Sequence, residues 1–134
     1  MKLILSLSTL LIASTAYPAL AERNLVPSMD SISDVCPDRP EEPQWMREIG
    51  VRDAFRRVLV QDIYRAQSLA RVVETGDCAC ETRFPAWDDA EAAFFERFAN
   101  AERWEMLEAS ETYGRETNAS RPQAMAICEA EGNW

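Results

Sequence analysis

Between Trp45 and Thr75 apolar residues recur at three- and four-residue steps. Val51, Phe55, Val58, Leu59, Ile63, Ala66, Ala70 and Val73 share one face. That period predicts a long amphipathic helix. Two acid–arginine pairs at i,i+4, Glu48 with Arg52 and Asp53 with Arg57, support it. Gly50 weakens the helix locally, so Trp45 to Ile49 reads as a separate turn. Gly76 suits the left-handed position that closes a helix.

A second helical pattern follows. Pro85 fits the first helical position, and Asp88, Asp89 and Glu91 lie where the helix dipole favours negative charge. Trp87, Ala90, Phe94, Phe98 and Ala101 make its apolar stripe, which Phe95, Met106, Ala109 and Tyr113 widen. Gly114 is expected to end it. Ser120-x-x-Gln123 then has the form of a capping box, with Pro122 in the first turn of a short third helix that stops near Gly132. No alternating strand pattern occurs after the first 21 residues. The expected fold is all-α: an antiparallel helical hairpin, a short C-terminal helix and an extended N-terminal arm, stapled by disulfides. The helical domain is placed at residues 44–134.

The arm is residues 22–43, where Pro27, Pro37, Pro40 and Pro43 lock φ and remove donors. Its sparse apolar residues, Leu25, Val26, Met29 and Ile32, are too few for a core. Before it, Lys2, the apolar run Leu3 to Leu11 and Ala19-Leu20-Ala21 form a signal peptide, residues 1–21, with cleavage near Ala21. The run is shorter than the roughly 20 residues a membrane crossing needs. An uncleaved anchor is the alternative. The chain is therefore expected in the periplasm or outside the cell, without stable membrane insertion after cleavage.

Composition removes several functions. The chain has a net charge of −9, no histidine, and Lys2 as its single lysine, which leaves with the signal. Nucleic acid and anionic lipid both call for clustered cations, so neither is an expected partner. With no histidine, no lysine in the mature chain and no Gly-x-Ser-x-Gly, a nucleophile would lack its base, and no catalytic residue is assigned. Asp88, Asp89 and Glu91 lack the spacing of a calcium loop and read as a solvated helix start. No cofactor or metal site is assigned.

The four cysteines, Cys36, Cys78, Cys80 and Cys128, form an even set in an exported chain, which favours two disulfides. Cys-x-Cys is not a zinc spacing. A Cys78–Cys80 bond would close a small strained ring. The preferred pairing joins Cys36 to one of that pair and Cys128 to the other, leaving open which. A helix from Val51 to Thr75 is about 37 Å long, and the arm from Cys36 to Gly50 spans roughly 45–50 Å if extended, so Cys36 reaches the turn. Should the chain after Gly114 not rise, Cys36–Cys128 with a Cys78–Cys80 ring is the other solution.

Aromatic residues supply the remaining candidates. Trp87, Phe94, Phe95, Phe98 and Trp104 have the spacing of a core face, although adjacent Phe94 and Phe95 point about 100° apart, so one of them faces elsewhere. Trp45 beside the arm and Trp134 at the end of the chain are the candidates for partner contact.

The run Cys78-Ala79-Cys80-Glu81-Thr82-Arg83-Phe84-Pro85-Ala86-Trp87 and the ending Ala126-Ile127-Cys128-Glu129-Ala130-Glu131-Gly132-Asn133-Trp134 are similar to small exported accessory proteins of bacterial conjugation and type IV secretion loci. The resemblance covers the last third to half of the chain. It implies a periplasmic component that assists assembly or DNA transfer, with protein partners in the cell envelope and no catalytic residues to carry over. The function expected is that of a non-enzymatic interaction protein. Two alternatives are a thiol–disulfide or soft-metal protein using Cys78 and Cys80, and a small inhibitor of an extracellular enzyme.

Overall fold

The computed structural model describes residues 35–134. The expected signal peptide, residues 1–21, and the expected arm as far as residue 34 lie outside the described residues. All regular structure among the described residues is helical: α1 (Gln44–Glu48), a 3₁₀ turn (Val51–Asp53), α2 (Ala54–Thr75), α3 (Cys80–Arg83), α4 (Asp88–Phe98) and α5 (Arg103–Glu131).

The start of the chain follows its local signals. Ile49 and Gly50 are extended, which detaches α1 from α2 as Gly50 implies. At the far end of α2, Gly76 has φ 67° and donates its N–H to the Val72 carbonyl at 2.9 Å. A side chain is strained there. α4 opens with Asp88, Asp89 and Glu91 in its first turn, but three residues later than Pro85 suggests. Pro85 stays outside the helix, where its carbonyl accepts the Tyr64 hydroxyl at 2.8 Å.

The second half departs further from the sequence reading. The helix expected to run to Gly114 stops at Phe98, and the chain reverses over Ala99–Glu102. A reciprocal cap marks the new start. The Glu102 carboxylate accepts the N–H of Glu105, and the Glu105 carboxylate accepts the N–H of Glu102 at 2.6 Å. From there α5 continues without interruption through Gly114, Ser120 and Pro122 to Glu131. Neither the Gly114 stop nor the Ser120 cap exists. Packing decides this: Met106, Thr117, Ala124 and Cys128 are buried along α5, and their contacts outweigh the weak helix propensity of one glycine. Pro122 removes the bond to the carbonyl of Asn118, but both residues are exposed, so water can take that carbonyl.

The two long partners run in opposite senses along α2. Arg71 pairs with Asp89 at 3.0 Å and Arg56 donates to the Ala99 carbonyl at 3.4 Å, so α4 descends antiparallel to α2. Arg103 lies over Phe55 at one end and Cys128 bonds Cys78 at the other, so α5 climbs parallel to it. The hairpin is as expected; the third element is the longest helix rather than a short one. α2 is thus central, and two of its sides are covered. Leu59, Val60 and Ile63 meet Met46, Ala90, Phe94 and Met106 in the main core. Val72 meets Cys78, Ala124 and Cys128 in a second, smaller one.

This placement also corrects the expected apolar face. Val51 belongs to the 3₁₀ turn and is 95 % exposed, and Val58 is 46 % exposed. Val60 and Val72, off the predicted stripe, are fully buried because α2 has more than one covered side. Neither predicted ion pair forms. Glu48 and Arg52 are on different elements, and Arg57 turns to Glu42 of the arm at 2.7 Å. Gln61 donates to the same carboxylate, and Trp87 donates its indole N–H to the Pro40 carbonyl at 3.3 Å. These bonds lay the described part of the arm, residues 35–43, along α2 and against Trp87.

Two glycines test this path from opposite directions. Gly76→Ala is expected to destabilise by about 1 kcal/mol, because its backbone is left-handed. Gly114→Ala is expected to stabilise by about 0.5–1 kcal/mol, because it lies inside α5 with nothing within 4 Å of a new Cβ. Thermal melts of both variants read the two signs directly.

Candidate functional site

Every cysteine is paired. Cys36 joins Cys80 with Cα atoms 5.6 Å apart, and Cys78 joins Cys128 with Cα atoms 5.0 Å apart. The small Cys78–Cys80 ring is not formed. The return of α5 towards the turn makes the wider pairing possible, since it carries Cys128 back to the level of Cys78. Cys36, Cys78 and Cys128 are buried. Among the described residues no three His, Cys, Asp or Glu side chains are grouped to hold a metal ion.

The chain end closes over the same turn. Gly132 reverses the backbone with φ 75°. Asn133 then donates its side-chain amide to the Cys78 carbonyl at 2.9 Å, while Glu131 accepts the Cys78 N–H at 3.0 Å. Both backbone groups of Cys78 are thereby satisfied by the last residue of α5 and the segment that follows it. The reversal brings Trp134 against Arg83 of α3, whose guanidinium carbon lies 4.7 Å from the centre of the indole and 5.0 Å from that of Phe84.

The two tryptophans expected at a partner surface have different settings. Trp134 is 37 % exposed. Trp45 is half-buried between Phe94 and Phe95, with ring centres 5.8 and 5.4 Å away, and donates its indole N–H to Glu91 at 2.6 Å. Of the adjacent phenylalanines, Phe94 is buried and Phe95 is half exposed, so the pair does divide between two surfaces. Trp104, expected on the core face, is 64 % exposed instead.

Phe95 and Trp104 are joined by Val51, Val58 and Leu107 as exposed large apolar side chains. All five lie at the end of the bundle remote from the disulfides, where α2 and α5 begin and α4 ends. Sequence periodicity missed this grouping because it assigned Val51, Val58 and Trp104 to the interior. Leu107, one residue after buried Met106, was the available signal.

Among the described residues three recesses exceed 400 Å³. The first, about 500 Å³, lies between the arm and α2, where Glu41 pairs with Arg47 and Glu42 with Arg57, and Arg39 and Arg65 also line it. The second, about 440 Å³, lies between α4 and α5 beside Trp104 and is lined by Glu105, Glu108 and Glu116, with Arg97 bonded to the Tyr113 hydroxyl. The third, about 410 Å³, lies between α2, Phe84 and α5, under Trp134. Here Arg65, Arg83 and Arg121 line the wall and no acidic side chain does. Burial lowers the pKa of Arg83 and pushes the Tyr64 phenol up. The Ser68 hydroxyl is near enough to oppose the rise at Tyr64, yet it completes no hydrogen bond of good geometry.

No protein-family model matches the chain, and no match was found among curated proteins or solved structures. The site therefore has to be read from its own chemistry. Among the described residues no helix is long and apolar enough to cross a membrane.

Proposed function

We propose that the chain is a non-enzymatic interaction protein of the bacterial cell envelope, exported through its signal sequence and accessory to a secretion or conjugal-transfer apparatus. The observation that carries this reading is that Val51, Val58, Phe95, Trp104 and Leu107 are all exposed towards one end of a bundle whose other end is fixed by two disulfides. Large apolar side chains left exposed towards one end of a fold offer a surface for a protein–protein contact. Aromatic side chains at such a face supply large contact area for little loss of conformational freedom. The paired cysteines fit an oxidising compartment. The acidic net charge of −9 favours a protein partner over the nucleic acid such machinery moves. The missing histidine and the loss of Lys2 leave no general base of the usual kind.

Cross-linking in intact envelopes, followed by affinity purification of the tagged chain, tests this. The wild type is expected in a complex with envelope proteins. Val51→Ser combined with Trp104→Ser is expected to release it while leaving the melting temperature within a few degrees. Recovery of the wild type as a free monomer only would overturn the proposal.

A further inference from the structure

The recess beneath Trp134 has chemistry that neither the fold nor the apolar end uses. In a chain of net charge −9 it gathers three arginines and no acidic side chain. Arg65 has a carboxylate of its own, Asp62 at 3.0 Å. Among the described residues Arg83 and Arg121 have none within ion-pair distance. Two further wall residues, Ser68 and Thr117, are 4 % and 6 % exposed; the Thr117 hydroxyl has no hydrogen-bond partner, and the Ser68 hydroxyl lies near the Tyr64 phenol without a bond of good geometry. A buried hydroxyl without a partner is costly and rare in folded chains. Thr117 on α5 offers such a hydroxyl to a polar group that enters the recess, and Ser68 on α2 lines the same wall. The rest of the wall is apolar or aromatic: Leu69, Phe84 and Trp134. The volume, about 410 Å³, falls in the range of small-molecule sites.

We propose that this recess is a binding site for a small organic carboxylate with an apolar, preferably aromatic, body. Arg83 and Arg121 hold the carboxylate, since guanidinium groups pair with it through parallel N–H donors. Ser68 and Thr117 hydrogen-bond the polar atoms that enter deepest. Phe84 and Trp134 cover the apolar body. Arg83 is already stacked between those two rings, which fixes its plane before any ligand arrives. The depression of its pKa by burial agrees with a cation that lacks a counter-charge. Inorganic phosphate lacks the apolar body and leaves the aromatic wall unused. The disulfides build the site: Cys80 opens α3, which carries Arg83, and Cys128 anchors the end of α5, from which Trp134 returns.

The test uses the oxidised chain without its signal sequence and three probes: 4-phenylbutyrate, its neutral amide, and inorganic phosphate. Calorimetry is read beside the indole N–H resonance of Trp134. Saturable binding of 4-phenylbutyrate is expected, at least tenfold tighter than either other probe, with a shift of the Trp134 signal. Arg83→Gln and Arg121→Gln are each expected to weaken it at least tenfold, and Arg52→Gln, outside the recess, to leave it unchanged. Arg121 is exposed on α5, so its variant keeps the test valid if Arg83→Gln does not fold. Thr117→Val is expected to raise the melting temperature of the free protein and to weaken binding. Equal affinity for acid and amide, binding unaffected by both arginine variants, or no saturable binding would each overturn the site.

Discussion

Replacing Cys78 and Cys128 together by alanine is expected to lower the melting temperature on the order of 10–30 °C, which corresponds to roughly 2–5 kcal/mol in a domain of this size. The bridge closes a loop with a sequence separation of 50, for which chain entropy alone gives about 4 kcal/mol. Its sulfurs also sit in the smaller core beside Val72 and Ala124, so the change removes packing as well as the cross-link. The double variant avoids an unpaired thiol that could exchange with Cys36 or Cys80. The two bridges span 36–80 and 78–128 and overlap only at the turn. They constrain nearly separate stretches of chain, so removing both is expected to cost close to the sum of the single losses and to leave the chain unfolded at ordinary temperature. Calorimetric melts of the wild type and both double variants measure this. An unchanged melting temperature for C78A/C128A would mean that the bond does not hold α5 to the turn.

Phe94→Ala carries the second large effect, about 3–5 kcal/mol. Phe94 is the largest fully buried side chain, and it is where α4 meets both α1 and α2: Trp45 stacks on it, and Met46, Leu59 and Ile63 share its cluster. Nothing nearby is free to collapse into the vacated space, because Trp45 is tied to Glu91 and α1 is tied through the arm to α2. Phe95→Ala, on the exposed neighbour, is expected to cost less than about 1 kcal/mol. The contrast between adjacent residues checks the rotation of α4. Comparable losses would place the helix differently.

Where local chemistry decides the structure, the sequence was a sufficient guide. Gly50 separates α1, Gly76 closes α2, and the acids after Trp87 open α4, each because a cap or dipole acts within a turn or two. Strain in a two-residue ring, together with the reach of the arm, was enough to expect the distant cysteines on the Cys78–Cys80 pair. What failed depends on contacts between elements. The reversal at Ala99–Glu102 is marked by two glutamates that cap each other, a pattern that passes for surface charge until the chain path is known. Gly114 and Pro122 read as a boundary, but burial of Thr117, Ala124 and Cys128 carries α5 through both. Val51, Val58 and Trp104 have core spacing but are exposed: Val51 lies in the turn before α2, and Val58 and Trp104 turn away from the core that Leu59 and Met106 enter. The arginine recess was not legible at all. Its parts, residues 65, 68, 83, 117 and 121, are spread over three helices and meet only because α5 runs parallel to α2.

The most direct measurement is disulfide mapping of the purified protein without reduction, using tandem mass spectrometry that cleaves the backbone between Cys78 and Cys80. Links between 36 and 80 and between 78 and 128, with no titratable thiol, are the expected result. A Cys78–Cys80 ring with Cys36 joined to Cys128, or free thiols in a chain that stays folded, would contradict a bundle held at its turn from both ends.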